Sequence, residues 1–142
     1  MKRGIFIKLI VFKHFLYKHH MRWLSKFLDF QFRILFACDI PSSADIANEG
    51  TFAHHGLGVV IHPRAKIGKG FIIYQNVTIG CRKAEGPPQL GDNCYIGAGA
   101  CILGDVKIGN NVSIGANAVV LKDIPDNCVA VGIPATVISR KI

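Results

Sequence analysis

The chain has 142 residues, half of them hydrophobic, with 17 Lys and Arg against 9 Asp and Glu for a formal charge of +8. That is one domain with an appendage, too apolar for a disordered chain and long enough to bury one core. Eight of the basic residues fall in 1–36 against Asp29 alone, so the rest carries only +1 and overall basicity gives no argument for a nucleic-acid partner.

In chain order, residues 1–38 come first, as a basic leader. Ile5-Phe6-Ile7 and Leu9-Ile10-Val11-Phe12 are apolar but interrupted by Lys8 and Lys13, so no run approaches the ~20 residues that cross a bilayer. No small-residue cleavage site follows residue 12, which argues against a secretory signal. Phe12, Phe15, Leu16 and then Trp23, Leu24, Phe27, Leu28, Phe32, Leu35 and Phe36 recur at helical spacing. They predict two amphipathic helices, broken near His19-His20-Met21. Two uses stay open for the aromatic stripes: covering the end of the next domain or another subunit, or peripheral docking on an anionic membrane.

A different period governs residues 39–138. Ile61, Ile67, Ile73, Ile79, then Leu90, Ile96, Ile102, Ile108, Ile114 and Val120 repeat every six residues, except for the longer step from Ile79 to Leu90. Six is neither the helix period nor strand alternation. It fits an all-β solenoid in which each flat face takes one hexad and the leading aliphatic points inward. Gly often follows that aliphatic, and Gly/Asn clusters such as Gly109-Asn110-Asn111 suit corners, because they tolerate left-handed angles. Counting backward, the beat continues through Phe52, Ile46 and Ile40. Two segments break it: His54-His55-Gly56-Leu57-Gly58, and the stretch 82–88. One coil takes about 18 residues. Loops therefore leave the wall about 30 residues apart, and functional side chains are expected there, close together in space. Residues 139–142 form a short tail.

Cys38, Cys81, Cys94, Cys101 and Cys128 are odd in number and contain no CxxC pair. A disulfide framework or zinc knuckle is not expected, and a reducing cytoplasm fits better. Most of the five are read as buried filler.

The hexads Tyr95-Ile96-Gly97-Ala98-Gly99-Ala100 and Ile114-Gly115-Ala116-Asn117-Ala118-Val119-Val120, with the ending Val131-Gly132-Ile133-Pro134-Ala135 and the coil Gln75-Asn76-Val77-Thr78-Ile79-Gly80, carry a resemblance. The chain resembles the hexapeptide-repeat acyltransferases, in the serine acetyltransferase-like branch, which includes O-acetyltransferases of sugars and surface polysaccharides. The resemblance implies a left-handed parallel β-helix, a homotrimer, and acetyl-coenzyme A lying in a groove between neighbouring prisms. It implies a groove lined by Ala98, Ala116 and Lys122, and completed by Ser139 or Arg140 near the adenosine end, where cations meet phosphates.

Acetyl transfer from a thioester to a hydroxyl needs a base for the hydroxyl proton and donors for the oxyanion. Histidine suits the first task, and His54, His55 and His62 cluster at the first irregularity. In the family that this chain resembles, the base lies two residues after an inward apolar residue. It precedes a Gly-aliphatic-aliphatic strand and is oriented by an Asp fifteen positions upstream. His54 follows Phe52 by two and Asp39 by fifteen, whereas His55 matches when counted back from Gly58-Val59-Val60. His54 is taken first and His55 second, with Asp39 as orienting carboxylate; His62, before Pro63, is read as a corner residue.

Serine acetyltransferases place an acidic residue just before the base and a second His in the inserted loop. Here Ala53 and, by alignment, Pro87 stand in those places. The expected acceptor is therefore a sugar hydroxyl of a surface polysaccharide. Serine is the alternative, and a non-catalytic scaffold a third reading. Cys81 as a transient acetyl carrier is a rival route within the same reaction. No metal is expected: adjacent His54 and His55 do not reproduce the three-histidine zinc pattern of the γ-type carbonic anhydrases. The expected location is cytoplasmic, with contact at the inner face of the membrane if the leader docks there.

Overall fold

The computed structural model describes residues 4–83 and 86–140, with side chains up to 138. Helices α1 (Ile5–Lys18) and α2 (Arg22–Phe36) lead into a coil of short strands. The first turn of the coil holds β1 (Asp45–Ile46), β2 (Gly50–Phe52) and β3 (Val60–Ile61), and the second β4 (Lys66–Ile67), β5 (Phe71–Ile73) and β6 (Thr78–Gly80). The third holds β7 (Gln89–Leu90), β8 (Tyr95–Ile96) and β9 (Cys101–Leu103), and the fourth β10 (Lys107–Ile108), β11 (Ser113–Ile114) and β12 (Val119–Val120). A hairpin of β13 (Cys128–Val131) and β14 (Thr136–Arg140) ends the chain.

Strands from successive turns stack in parallel into three walls, β1-β4-β7-β10, β2-β5-β8-β11-β13 and β3-β6-β9-β12, with β14 adding antiparallel to β13. This is the left-handed parallel β-helix that the resemblance implied, preceded by helices. All ten hexad-leading aliphatics are buried, and Ile73, Ile79, Ile96, Ile102 and Ile114 are fully so. Each such burial contributes about 1.5–3 kcal/mol. Cys94 and Cys128 fill the core as expected, while Cys101 is half-buried on the outer side of β9. At one corner Asn93, Asn111 and Asn127 all hold φ near +57. Asn93 Nδ2 donates to Asn111 Oδ1 at 3.2 Å, and Asn111 Nδ2 to Asn127 Oδ1 at 2.9 Å. Asparagine accepts the left-handed angle and adds a side-chain ladder that Gly could not.

The helices close the first turn. Phe6, Ile7, Ile10 and Leu16 of α1 and Phe32 of α2 are buried, with Phe6 meeting Phe32, Phe36 and Phe52 at 5.6, 5.1 and 5.9 Å. The buried ammonium of Lys13 bonds Asp29 at 2.9 Å and the Ile40 carbonyl at 2.8 Å, 3.9 Å above the Phe32 ring. Asp29 also accepts from the Ser42 hydroxyl at 2.8 Å, tying α2 to the chain just before β1. The face turned inward is thus the one led by Phe6. Of the stripe read from the sequence, Phe12, Phe15, Trp23, Phe27 and Leu35 stay exposed.

Candidate active site

Register shows where the coil departs from its beat. Lys107 lies 18 residues after its partner Gln89, Gln89 lies 23 after Lys66, and Lys66 lies 21 after Asp45. The first turn thus holds three extra residues and the second five. The three fall between β2 and β3, in a 3-10 turn Ala53–Gly56, and the five in the loop between β6 and β7. These loops leave from opposite edges of the β3-β6-β9-β12 wall, so one chain does not bring them to a single edge as the spacing had suggested.

The second loop holds one non-glycine residue at positive φ, Lys83, and the first holds two in a row. His54 (φ 52, ψ 34) and His55 (φ 54, ψ 33) are consecutive non-glycine residues in the left-handed region. Such angles cost of order 1–2 kcal/mol each and persist where the surroundings impose them, often at functional sites. Both side chains are exposed. The His55 ring is held between leader aromatics, 5.9 Å from Phe6 edge-on and 6.3 Å from Phe36 stacked. His54 has no such contact among the described residues. His62 occupies a corner, its Nδ1 accepting the Arg64 backbone N–H at 3.1 Å.

Asp39 precedes β3 as a bridge partner of Val60. Both of its carboxylate oxygens are held by Arg33, at 3.1 Å from Nε and 2.8 Å from Nη2. Among the described residues it makes no hydrogen bond to a histidine ring. Arg33 was invisible in this role from the sequence, although it precedes Asp39 by only six residues at the end of a helix. Beside Asp39, burial pushes the Cys38 thiol up to about 11, so that cysteine is inert filler. Cys81 is half-buried at the start of the five-residue loop, on the edge away from the histidines.

Below the histidine loop the corner positions Gly58, Asn76, Gly99 and Asn117 stack at positive φ. One position earlier, Leu57, Gln75, Ala98 and Ala116 follow one another down the same edge. Gln75 Oε1 is buried with no hydrogen-bond partner among the described residues, an acceptor that sequence reasoning missed and that only burial exposes. Ala98 is half-buried and Ala116 exposed, leaving this edge bare beneath the histidines. Lys122 lies across the wall. There it lines a cavity of about 470 Å³ with Arg82, Asp123, Pro134, Ala135 and Thr136. The backbones of Ser139 and Arg140 continue β14 opposite Val129 and Cys128; their side chains lie outside the described part. Among the described residues no three His, Cys, Asp or Glu are grouped to hold a metal ion.

The family pattern described as bacterial transferase hexapeptide (six repeats) matches residues 87–122. A serine acetyltransferase of Synechococcus elongatus is 42% identical over 131 residues, covering 90% of this chain and 53% of that protein. One from Staphylococcus epidermidis is 38% identical over 131 residues, covering 90% of this chain and 61% of its own. The crystal structure of Neisseria gonorrhoeae serine acetyltransferase superposes with a TM-score of 0.90 at 34% identity, over 96% of this chain and 53% of that one. A serine acetyltransferase in complex with CoA gives 0.85 at 32% identity, over 94% and 55%. The chain thus spans about half the length of the curated relatives it matches.

Proposed function

Since the chain belongs to the hexapeptide-repeat acyltransferases, in their serine acetyltransferase-like branch, we propose that it moves an acetyl group from acetyl-coenzyme A to the hydroxyl of serine. The observation that carries this reading is the pair of left-handed histidines in the one turn lengthened between β2 and β3. A neutral imidazole there takes the hydroxyl proton as the oxygen attacks the thioester carbonyl. The tetrahedral adduct then collapses, and the departing thiolate recovers the proton from the imidazolium. Of the two rings, the base is assigned to His55, although the count from Phe52 and Asp39 puts His54 first. A catalytic group needs a fixed orientation, and the packing of Phe6 and Phe36 supports that for His55. Asp39, fifteen residues before His54 and sixteen before His55, remains the proposed orienting carboxylate, on exchange of its Arg33 pair for the imidazole.

The acceptor favoured by the names of the relatives is serine, rather than the polysaccharide sugar read from Ala53 and Pro87. With Ala53 in the usual acidic position, the Gln75 oxygen, buried and without a partner among the described residues, is proposed to turn outward and accept from the amino group. For the donor, Ala98 and Ala116 lie on the histidine edge and Lys122 on the far one. A three-fold assembly that sets one copy's histidine edge against the next copy's Lys122 edge would unite them, which supports the trimer reading. Ser139 and Arg140 are proposed to extend that coenzyme surface. A chain with an odd number of cysteines and no CxxC pair, together with a coenzyme-linked donor, fits a cytoplasmic setting.

A thiol-release assay with acetyl-coenzyme A across serine, simple sugars and nucleotide-sugars tests the proposal. Serine is expected to give the turnover, and His55→Ala to lose roughly 10²–10⁴-fold, with a smaller loss for His54→Ala. Turnover on sugars alone would restore the polysaccharide reading. Near-native activity in both variants would remove the histidine mechanism.

A further inference from the structure

We propose that the outward face of the two leader helices docks on an anionic lipid surface. The proposal does not depend on the acetyl-transfer reading. The helices spend one face on the coil, through Phe6, Ile10, Leu16 and Phe32. On the opposite face of α2, Trp23, Phe27, Phe30 and Ile34 recur at steps of four, three and four, which is one side of a helix. They are 76%, 54%, 58% and 62% exposed. On α1, Ile5, Leu9 and Phe12 are also exposed. Single exposed apolar residues need no explanation, whereas a row of aromatic and aliphatic side chains along one helix face marks an interaction surface.

Charge identifies the occupant. Two helix cations are already paired, Lys13 with Asp29 and Arg33 with Asp39. Lys8, Lys18, Arg22 and Lys26 are exposed and have no carboxylate partner among the described residues. The leader's only acid, Asp29, is used on Lys13 and Ser42. Among the described residues, the helix charges left without a partner are therefore all cationic, which suits a negative surface. A second copy seated on the same face would set cations against cations. No helix among the described residues is long and apolar enough to cross a membrane, and at 14 and 15 residues α1 and α2 fit a position in the plane of the interface. There aromatic rings enter the headgroup boundary while Lys and Arg reach the lipid charge.

Trp23 is the only tryptophan in the chain, so its emission reports the proposed contact directly. The full chain is mixed with phosphatidylcholine vesicles, and with vesicles that also contain phosphatidylglycerol. On the anionic vesicles alone the emission is expected to shift to the blue and to be quenched by brominated lipid, with both changes reversed by added salt. Arg22→Glu combined with Lys26→Glu is expected to weaken binding roughly tenfold or more, with the circular dichroism spectrum unchanged. Emission that stays at the water-exposed position on anionic vesicles at low salt overturns the proposal. Equal binding to both vesicle types also overturns it. So does blue emission without lipid that grows with protein concentration, which would assign the row to self-association.

Discussion

At Gln75 a buried amide oxygen stands without a partner among the described residues, on the edge that carries the histidine loop. Leaving such a group unsatisfied costs about 1–3 kcal/mol, so its retention needs a benefit that the free chain does not show. If it receives the acceptor's amino group, Gln75→Leu separates binding from folding. The Michaelis constant for serine is expected to rise about tenfold, the worth of one hydrogen bond to a charged group. Stability, read from the urea midpoint, is expected to hold or to rise. A fall in stability with unchanged kinetics would make Gln75 a structural residue only. His54 and His55 present the same trade at the backbone, with left-handed strain kept where two imidazoles are exposed together.

Among elements, the helix pair is joined to the coil by a small polar cluster within an aromatic one. Lys13 is 1% exposed, and burial pulls its pKa down while the hydrogen bond to Asp29 opposes that. Removing one partner of a buried pair is worse than removing both, because the remaining charge has no compensation. Asp29→Ala is therefore expected to cost about 3–5 kcal/mol in denaturant unfolding, and Lys13→Met in the same chain to recover much of it. The consequence reaches the proposed site, because Phe6 and Phe36 pack against His55 only while the helices stay docked. Turnover should fall with docking, before the coil itself unfolds.

For the whole molecule, the two loops lie at opposite edges of one wall, so the proposed site is incomplete in one copy. A mixing experiment reads this. His55→Ala and Lys122→Ala protomers, each impaired alone, are expected to regain about a quarter of wild-type turnover in equally mixed trimers, since one site in four then receives both intact edges. Light scattering should find three copies per particle. Failure of the mixture to recover would place the whole site within one chain.

The sequence by itself determined the coil. A six-residue beat of aliphatics has one packing solution, and every leading residue from Ile61 to Val120 is buried as that beat requires. It also marked both loops, because an extra residue breaks a strict period wherever it falls. Three hexads to a turn also put Ile61 and Ile79 on one wall, with one loop before it and the other after it, so the two edges were legible in the same count. What only the tertiary structure decided is what surrounds those loops. Periodicity counts residues along the chain, but it carries no information on side-chain partners, so it could not show Arg33 holding Asp39, or find the Gln75 oxygen that has no partner among the described residues. The leader shows the same division. Helical spacing foretold amphipathic helices, yet the choice of inward face went to Phe6, Ile10 and Leu16, because burial follows the shape of the first turn and not hydrophobicity alone.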